Sequence, residues 1–401
     1  MLIFLISVFL VYTMIKISLE ILEISFINEE SKKDAVILDD KIYKEAAKIS
    51  VTNKKFEITT LVYDFILTVF WLSFGLKLLY TKIVLDDTIV QNLLFVMSYI
   101  VISSILGLPF EIYSKFIKDK KFGFSTIDKK TFILDFIKAF SLTIIFGSLF
   151  VYLILLCIEF LGASWWIWAA VLSFVIILII NFIYPTIIAP MFNKMKPLEN
   201  KDLQDGIESL MQKCGFKSSG IFTIDASKRD NRLNAYFGGL GASKRVVLFD
   251  TLIQKLSINE ILAVLGHELG HFKNKDIIRN LVFASVGIFI MFLIFGNLPF
   301  SVFESAGIAK SGGSIIIMLM VLSPILSFFI TPIQSSISRK CEFKADEFGA
   351  EIQDKDDMIS ALKKLGSENK AFPKSHKIYS NFYHSHPTLY ERITQLENDN
   401  I

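Results

Sequence analysis

Two imidazoles and a carboxylate stand in an order that can hold a metal and use it. His267-Glu268-Leu269-Gly270-His271 sets two histidines four residues apart, on one face of a helix, where both reach a single Zn²⁺. Glu268 lies about 100° round that helix from His267, so its carboxylate can approach water beside the metal without becoming a ligand. For either histidine alone, a satisfied core or surface imidazole is the simpler reading. The full pattern is different, because Ser257-Ile258-Asn259-Glu260 just upstream has the form of a capping box that starts a helix. A catalytic zinc takes three protein ligands and keeps one position open. Far downstream, Glu342 and Asp346 share a helix face at i and i+4. On its own that pair reads as a solvated carboxylate face, and Cys341, about 100° away from Glu342, is an alternative soft ligand.

The elements that must position these residues belong to a membrane protein. With 53% hydrophobic residues and 38 Phe in 401, the chain is too apolar for an ordinary soluble protein of its size. Charge-free runs fall at 1–15, 65–76, 88–110, 139–158, 160–193, 280–303 and 311–338, and most approach or exceed the roughly 20 residues of a spanning helix. They predict seven transmembrane helices. The second run is short and starts after Asp64, so its helix extends back through 58–63 and holds that carboxylate inside the protein. The first run lacks a basic start and a small-residue cleavage site and reads as a retained helix.

Loops after the first and third spans carry Lys32, Lys33, Lys41, Lys44, Lys48, Lys54 and Lys55, then Lys115, Lys118, Lys120, Lys121, Lys129 and Lys130, against Lys77, Lys82 and Lys310 on the other side. Basic loops stay inside, which predicts a cytoplasmic metal domain and an N-terminus outside. The net charge of +3 is near balance, so these clusters read as contacts with anionic membrane lipids and not as a nucleic-acid surface. Cys157, Cys214 and Cys341 have no paired spacing, which fits a reducing compartment and argues against a disulfide framework.

The organisation is therefore an N-terminal membrane region, 1–193, with five spans; a first part of the metal domain, 194–279; two spans, 280–338; and a second part, 339–401. One site built from both polar parts requires that they meet in space. Alternation at 221–224, 234–237 and 245–249 predicts a small sheet, with Gly238, Gly239 and Gly241 turning the chain between the last two strands.

In these residues the chain resembles the Ste24-type CAAX prenyl proteases, integral-membrane gluzincins of the M48 class. The likeness covers nearly the whole chain: Leu108-Pro109-Phe110 with Tyr113, Phe116 and Gly123-Phe124; Tyr184-Pro185 with Ile188-Ala189-Pro190; Asn234-Ala235-Tyr236; 244–251; the histidine helix; the Glu342/Asp346 segment; and Ser385-His386-Pro387 with Glu391-Arg392. It implies a mainly α fold of seven membrane helices around an internal, water-filled chamber, capped by a zinc domain with a small sheet. It also implies one Zn²⁺ on His267, His271 and Glu342, Glu268 as catalytic base, and Asp346 as either a partner of a zinc histidine or a proton donor. His386 then steadies the oxyanion, Arg392 a ligand carboxylate on the substrate side, and Asn234, Ala235 and Tyr236 form an edge strand that pairs with substrate backbone. Asp64 and Asp135 line the chamber or sit near a membrane boundary.

Substrates on this reading are peptides or proteins, lipidated or membrane-bound. Ser125 and the basic 118–121 run depart from the family's more acidic, Asn-containing loop. The 36 Lys against 6 Arg suggest a bacterial source, hence an inner-membrane location where isoprenylated proteins need not be the natural substrate. The rival enzyme reading is an HtpX-like protease of misfolded membrane proteins, a shorter type with fewer spans. A non-catalytic membrane chaperone or scaffold is the rival outside enzymes, and the complete His267/Glu268/His271 set argues against it.

Overall fold

The computed structural model describes residues 1–239 and 244–398; Gly241 of the expected turn lies outside them. Five apolar runs form α1 (Leu2–Glu30), α2 (Asp40–Ile83), α3 (Ile89–Lys121), α4 (Lys129–Phe160) and α5 (Gly162–Phe192). Then follow β1 (Met195–Pro197), α6 (Lys201–Lys213), β2 (Ile221–Ile224), β3 (Ala235–Gly238), β4 (Arg245–Phe249) and α7 (Ile258–Lys273). The last two spans are α8 (Asp276–Gly296) and α9 (Gly312–Ile352), after which α10 (Lys355–Glu368), α11 (Lys377–Tyr383) and α12 (Leu389–Asn398) complete the described chain. Seven helices among the described residues are thus long and apolar enough to cross a bilayer.

Their outward sides keep large apolar side chains such as Ile66, Phe160, Ile179 and Ile333 exposed, as lipid contact requires. Their inward sides close on a core that includes Trp71, Leu72, Phe95, Trp165 and Phe303.

The helices outrun the apolar runs that announce them. Lys41 to Lys55 and Lys115 to Lys121 stand on α2 and α3, not in loops, because Lys and Glu are good helix formers and nothing breaks the backbone where the lipid ends. The α3 segment ends only at Gly123, whose φ of 79° takes the left-handed region. Likewise α9 passes from the bilayer into the metal domain without a break at 338/339.

The sheet has the order β1-β2-β4-β3, with β2 and β4 parallel and both outer pairs antiparallel. Strand β1 was not foreseen; it carries Pro197, which an edge strand tolerates. Val246, Val247 and Leu248 of β4 are fully buried; Val246 and Leu248 share a core with Leu203 and Ile207 of α6 and Ile261, Leu265 and Leu269 of α7, while Val247 turns to the other face with Ile224 and Ala226.

Membrane and polar parts are tied by charge. Asp135 of α4 accepts from Arg229 Nε and Nη2 at 2.7 and 3.0 Å, and Asp119 faces Arg232 at 3.2 Å. On the far side, buried Glu23 of α1 accepts the His376 amide at 2.8 Å and Glu20 accepts the Tyr379 hydroxyl at 3.2 Å. Asp64 lines a cavity of about 260 Å³ with Tyr12 and Lys16 of α1, and Asp135 lines one of about 620 Å³.

Candidate metal centre

The histidine helix starts where the capping box says it should. The Ser257 amide donates to Glu260 Oε2 at 2.7 Å, and the Glu260 amide donates to Ser257 Oγ at 3.3 Å. Glu260 is buried and also accepts from Ser360 at 2.6 Å and Lys364 Nζ at 2.7 Å on α10, so the cap also fastens α7 to the second polar part. The other end of α7 stops at Lys275, which adopts φ 57°. That left-handed step reverses the chain and delivers Asp276 as the first residue of α8.

Small residues bring α9 against α7. A Cβ added at Gly349 would lie 2.9 Å from the His267 amide nitrogen, and one at Gly270 would lie 2.9 Å from Ala345 Cα. At this approach Glu342 reaches both histidines. Its Oε2 lies 3.4 Å from His267 Nε2 and its Oε1 lies 3.3 Å from His271 Nε2. The two Nε2 atoms are themselves 3.2 Å apart, and all three ligand atoms fall within 4.8 Å of one another.

What these atoms can bind follows from the opposite side of each ring. His267 Nδ1 lies 2.8 Å from Asp346 Oδ1, and His271 Nδ1 lies 2.7 Å from Asp276 Oδ2. A carboxylate only accepts, so each Nδ1 carries the hydrogen and each neutral ring turns a bare lone pair inward. In that tautomer two lone pairs and a carboxylate converge, and Glu342 Oε2 is buried without a hydrogen-bond partner. Such an arrangement is repulsive until a cation sits in it, and the N, N, O donor set suits zinc. Without a metal, burial lowers the His267 pKa, but the Asp346 carboxylate outweighs it and the group rises to about 9. The site thus draws positive charge, whether a proton or a metal, to this point.

Each supporting carboxylate is itself held by an arginine. Arg392 Nε donates to Asp346 Oδ2 at 2.7 Å, and Arg279 Nη1 donates to Asp276 Oδ1 at 2.8 Å. The Arg392 guanidinium, expected to steady a ligand carboxylate, holds Asp346 and also lines the cavity that Glu268 and His386 share. Asp276 and Arg279 escaped the sequence reading altogether. Their only local signal is an Asp–Arg pair at i and i+3 just beyond the histidine helix. Cys341 faces Arg279 Nη1 at 2.5 Å, and its sulfur is not one of the three clustered ligand atoms.

Glu268 is half-buried and lines two adjoining cavities of about 380 and 310 Å³ that also share Glu342 and His386. Burial raises the Glu268 carboxyl above its ordinary range, with the nearby histidines opposing. His386 Nε2 lies 3.3 Å from Glu342 Oε1, on a ring that stays 62% exposed. The first cavity is walled by Asn234 and Ala235, the second by Phe237 and Gly238, so β3 runs along both. This strand is the free edge of the sheet. The Phe249 amide donates to the Asn234 carbonyl at 3.1 Å, which by antiparallel alternation turns the backbone groups of Ala235 and Phe237 outward. Tyr236 faces the other way, among Val247, Ile224 and Ala226.

Family comparison gives two matches that divide the chain between them. Residues 27–194 match the CAAX prenyl protease N-terminal region of five membrane helices, and residues 197–400 match peptidase family M48. The chain is 32% identical to CAAX prenyl protease 1 of Saccharomyces cerevisiae, over 90% of its own length and 86% of the relative's. It is 31% identical to the human CAAX prenyl protease 1 homolog, over 77% and 74%. The crystal structure of S. mikatae Ste24p superposes with a TM-score of 0.90 at 31% identity and covers 98% of each chain.

Proposed function

The chain belongs to the M48 peptidase family and is an integral, multi-pass membrane metalloendopeptidase of the Ste24 type, and from this we propose that it cleaves lipidated, membrane-borne C-terminal peptides with one Zn²⁺ held by His267, His271 and Glu342. The observation that carries the ligand assignment is the convergence of two inward-facing Nε2 atoms and an unpartnered carboxylate oxygen beside a free edge strand. When bound, zinc supplies Lewis acidity, polarising a peptide carbonyl and making water a better acid.

The remaining steps belong to the chain. Asp346 and Asp276 hold the two imidazoles in the tautomer that leaves Nε2 free. Ala235 and Phe237 pair with an extended substrate through backbone groups, which gives affinity with little sequence preference and lays the scissile bond across Glu268. The Glu268 carboxylate accepts the proton of the attacking water and returns it to the leaving amine nitrogen, a role suited by its raised pKa. His386, exposed and 3.3 Å from Glu342 Oε1, donates to the carbonyl oxygen as negative charge develops there. Arg392 fixes Asp346.

The metal domain, in two parts at 194–279 and 339–401, faces the cytoplasm, because the lysines of 32–55 and 115–130 crowd the side of the membrane it occupies. Labelling of a cysteine at position 120 by an impermeant reagent in intact cells would refute that orientation. The substrate assignment is tested with purified protein in lipid nanodiscs, given a farnesylated CAAX peptide and its unprenylated twin, each with and without a zinc chelator. Chelator-sensitive cleavage of the farnesylated peptide alone is the expected outcome. Equal cleavage of both peptides would refute the lipid requirement.

A further inference from the structure

The seam between α2 and α3, at the end that meets the metal domain, holds a slot that the peptidase chemistry does not use. It encloses about 440 Å³; Lys55, Phe56 and Thr59 form one wall, Pro109 and Tyr113 the other, and Lys118 closes the end. Phe56 stacks on Tyr113 with centroids 5.4 Å apart and planes 19° apart, which makes a rigid aromatic floor. Lys118 Nζ sits 5.3 Å from the Phe56 ring and is held by Asn53 Oδ1 at 2.7 Å. Lys55 is exposed; its carbonyl accepts from Thr59 Oγ1 at 3.1 Å, and no hydrogen bond or ion pair engages its ammonium among the described residues.

The slot opens to lipid, and the helix geometry shows it twice. Lys55, Thr59, Val62 and Ile66 recur at steps of four, three and four along one stripe of α2, and Val62 and Ile66 are 44% and 60% exposed. Asp64, about 200° from both, faces the internal cavity instead. On α3, Tyr113, Pro109 and Ile105 form the matching stripe, while Gly107 and Glu111, again about 200° away, line another cavity. Along roughly 16 Å of helix the slot therefore runs from ammonium groups through hydroxyl and aromatic surface to bare aliphatic side chains.

One carboxylate stands at its mouth: Asp119 pairs with Lys118 at 3.1 Å, and Lys55 is the cation left without an ion pair among the described residues, since Glu57 and Glu111 are turned away by the same rotation.

We infer that this slot binds an anionic phospholipid, with the phosphate between Lys55 and Lys118, the glycerol region on the Phe56–Tyr113 pair and an acyl chain along Val62, Ile66 and Ile105. The order of chemistries matches that of such a lipid from headgroup to tail, and a basic pocket between spanning helices at an interface is where such headgroups are held.

The test uses the full-length protein in nanodiscs of phosphatidylcholine doped with phosphatidylglycerol, with lipid retained after detergent exchange counted by native mass spectrometry. Wild type should retain phosphatidylglycerol over phosphatidylcholine. Lys55→Gln should weaken that retention about fivefold, the factor one near-surface lysine carries. Thr59→Trp, which fills the slot and leaves both charges, should abolish it, and Lys32→Gln, which changes an exposed lysine elsewhere on the same side, should leave it intact. Retention by Lys55→Gln or Thr59→Trp equal to wild type would overturn the site, as would an equal loss in Lys32→Gln, which would mean diffuse attraction. Displacement of the lipid by millimolar inorganic phosphate would also overturn it, because the site would then be read by phosphate alone.

Discussion

Replacing Asp276 with alanine removes the group that orients His271, and the geometry sets how much metal affinity should go with it. A hydrogen bond to a charged group is worth about 1.5–3 kcal/mol, and about 1.4 kcal/mol is a factor of ten in binding. The His271 ring is 24% exposed, so water takes over part of the lost bond and the low end applies, about tenfold. Asp346 is the harsher case. Its partner His267 is 8% exposed, and its loss also strands the buried Arg392 guanidinium without a counter-charge, which points to the upper end, about 100-fold. Both values lie in the range usual for losing a carboxylate behind a metal-bound histidine. The assay is equilibrium competition: purified protein without substrate is titrated with a zinc-buffering chelator, and bound metal is counted by atomic emission. Affinity should fall in the order wild type, Asp276→Ala, Asp346→Ala. If Asp276→Ala held zinc as tightly as wild type, the assignment of Asp276 as the His271 support would be wrong. If Asp346→Ala kept its metal and lost only turnover, Asp346 would be a proton donor.

Three further outcomes follow from neighbouring geometry. Glu268→Gln should keep its zinc, since Glu268 is not among the clustered ligand atoms, and lose about 10²–10⁴-fold in hydrolysis; near-normal cleavage by the metal-loaded variant would refute the base assignment. Gly349→Ala places a Cβ 2.9 Å from the His267 amide nitrogen and 3.1 Å from the Ala263 carbonyl oxygen, which should separate α7 from α9 at a cost of about 1–3 kcal/mol and lower metal content; unchanged melting and zinc stoichiometry would count against the close crossing. Burial alone would raise the Glu260 carboxyl, but bonds from Lys364, Ser360 and Ser257 hold it at about 2, against an ordinary 4.5. A depressed carboxyl adds stability above its unfolded pKa and loses it as pH falls through the folded one. Metal-free wild type should therefore lose more thermal stability between about pH 5 and 2 than Glu260→Gln, and equal losses would refute the clamp.

Features written by local rules were legible in advance. The capping box, the paired histidines and the seven spans each depend on residues a turn or a bilayer apart. What stayed hidden depends on tertiary approach. By local pattern Glu342 and Asp346 look like any solvated carboxylate pair, and only the family resemblance singled them out; their roles depend on Gly349 and Ala345 letting α9 meet α7. Asp276 acquires its role only through the left-handed step at Lys275, a conformation that a lysine does not announce. The ends of α2 and α3 were misplaced because hydropathy marks where lipid stops, whereas Lys-rich sequence carries the helix onward. The attachment of Arg392 to Asp346 lies across two elements, so no local pattern announces it.

The unbroken course of α9 decides how this enzyme can be taken apart in the laboratory. One rod of 41 residues begins beside the bilayer core at Gly312 and ends at Ile352, with Glu342 and Asp346 on its last turns. The histidines lie before the last two spans and the third ligand after them, so no soluble catalytic fragment can be expressed as a contiguous piece. Cutting the rod above Glu342 to join the polar parts directly would leave a stub that must nucleate its own helix against α7, at the cost that short isolated helices always carry. Truncation series, the usual shortcut with multidomain proteases, should therefore yield inactive protein from every boundary, and screening for a minimal active form is better spent on the lipid and detergent than on the ends of the chain.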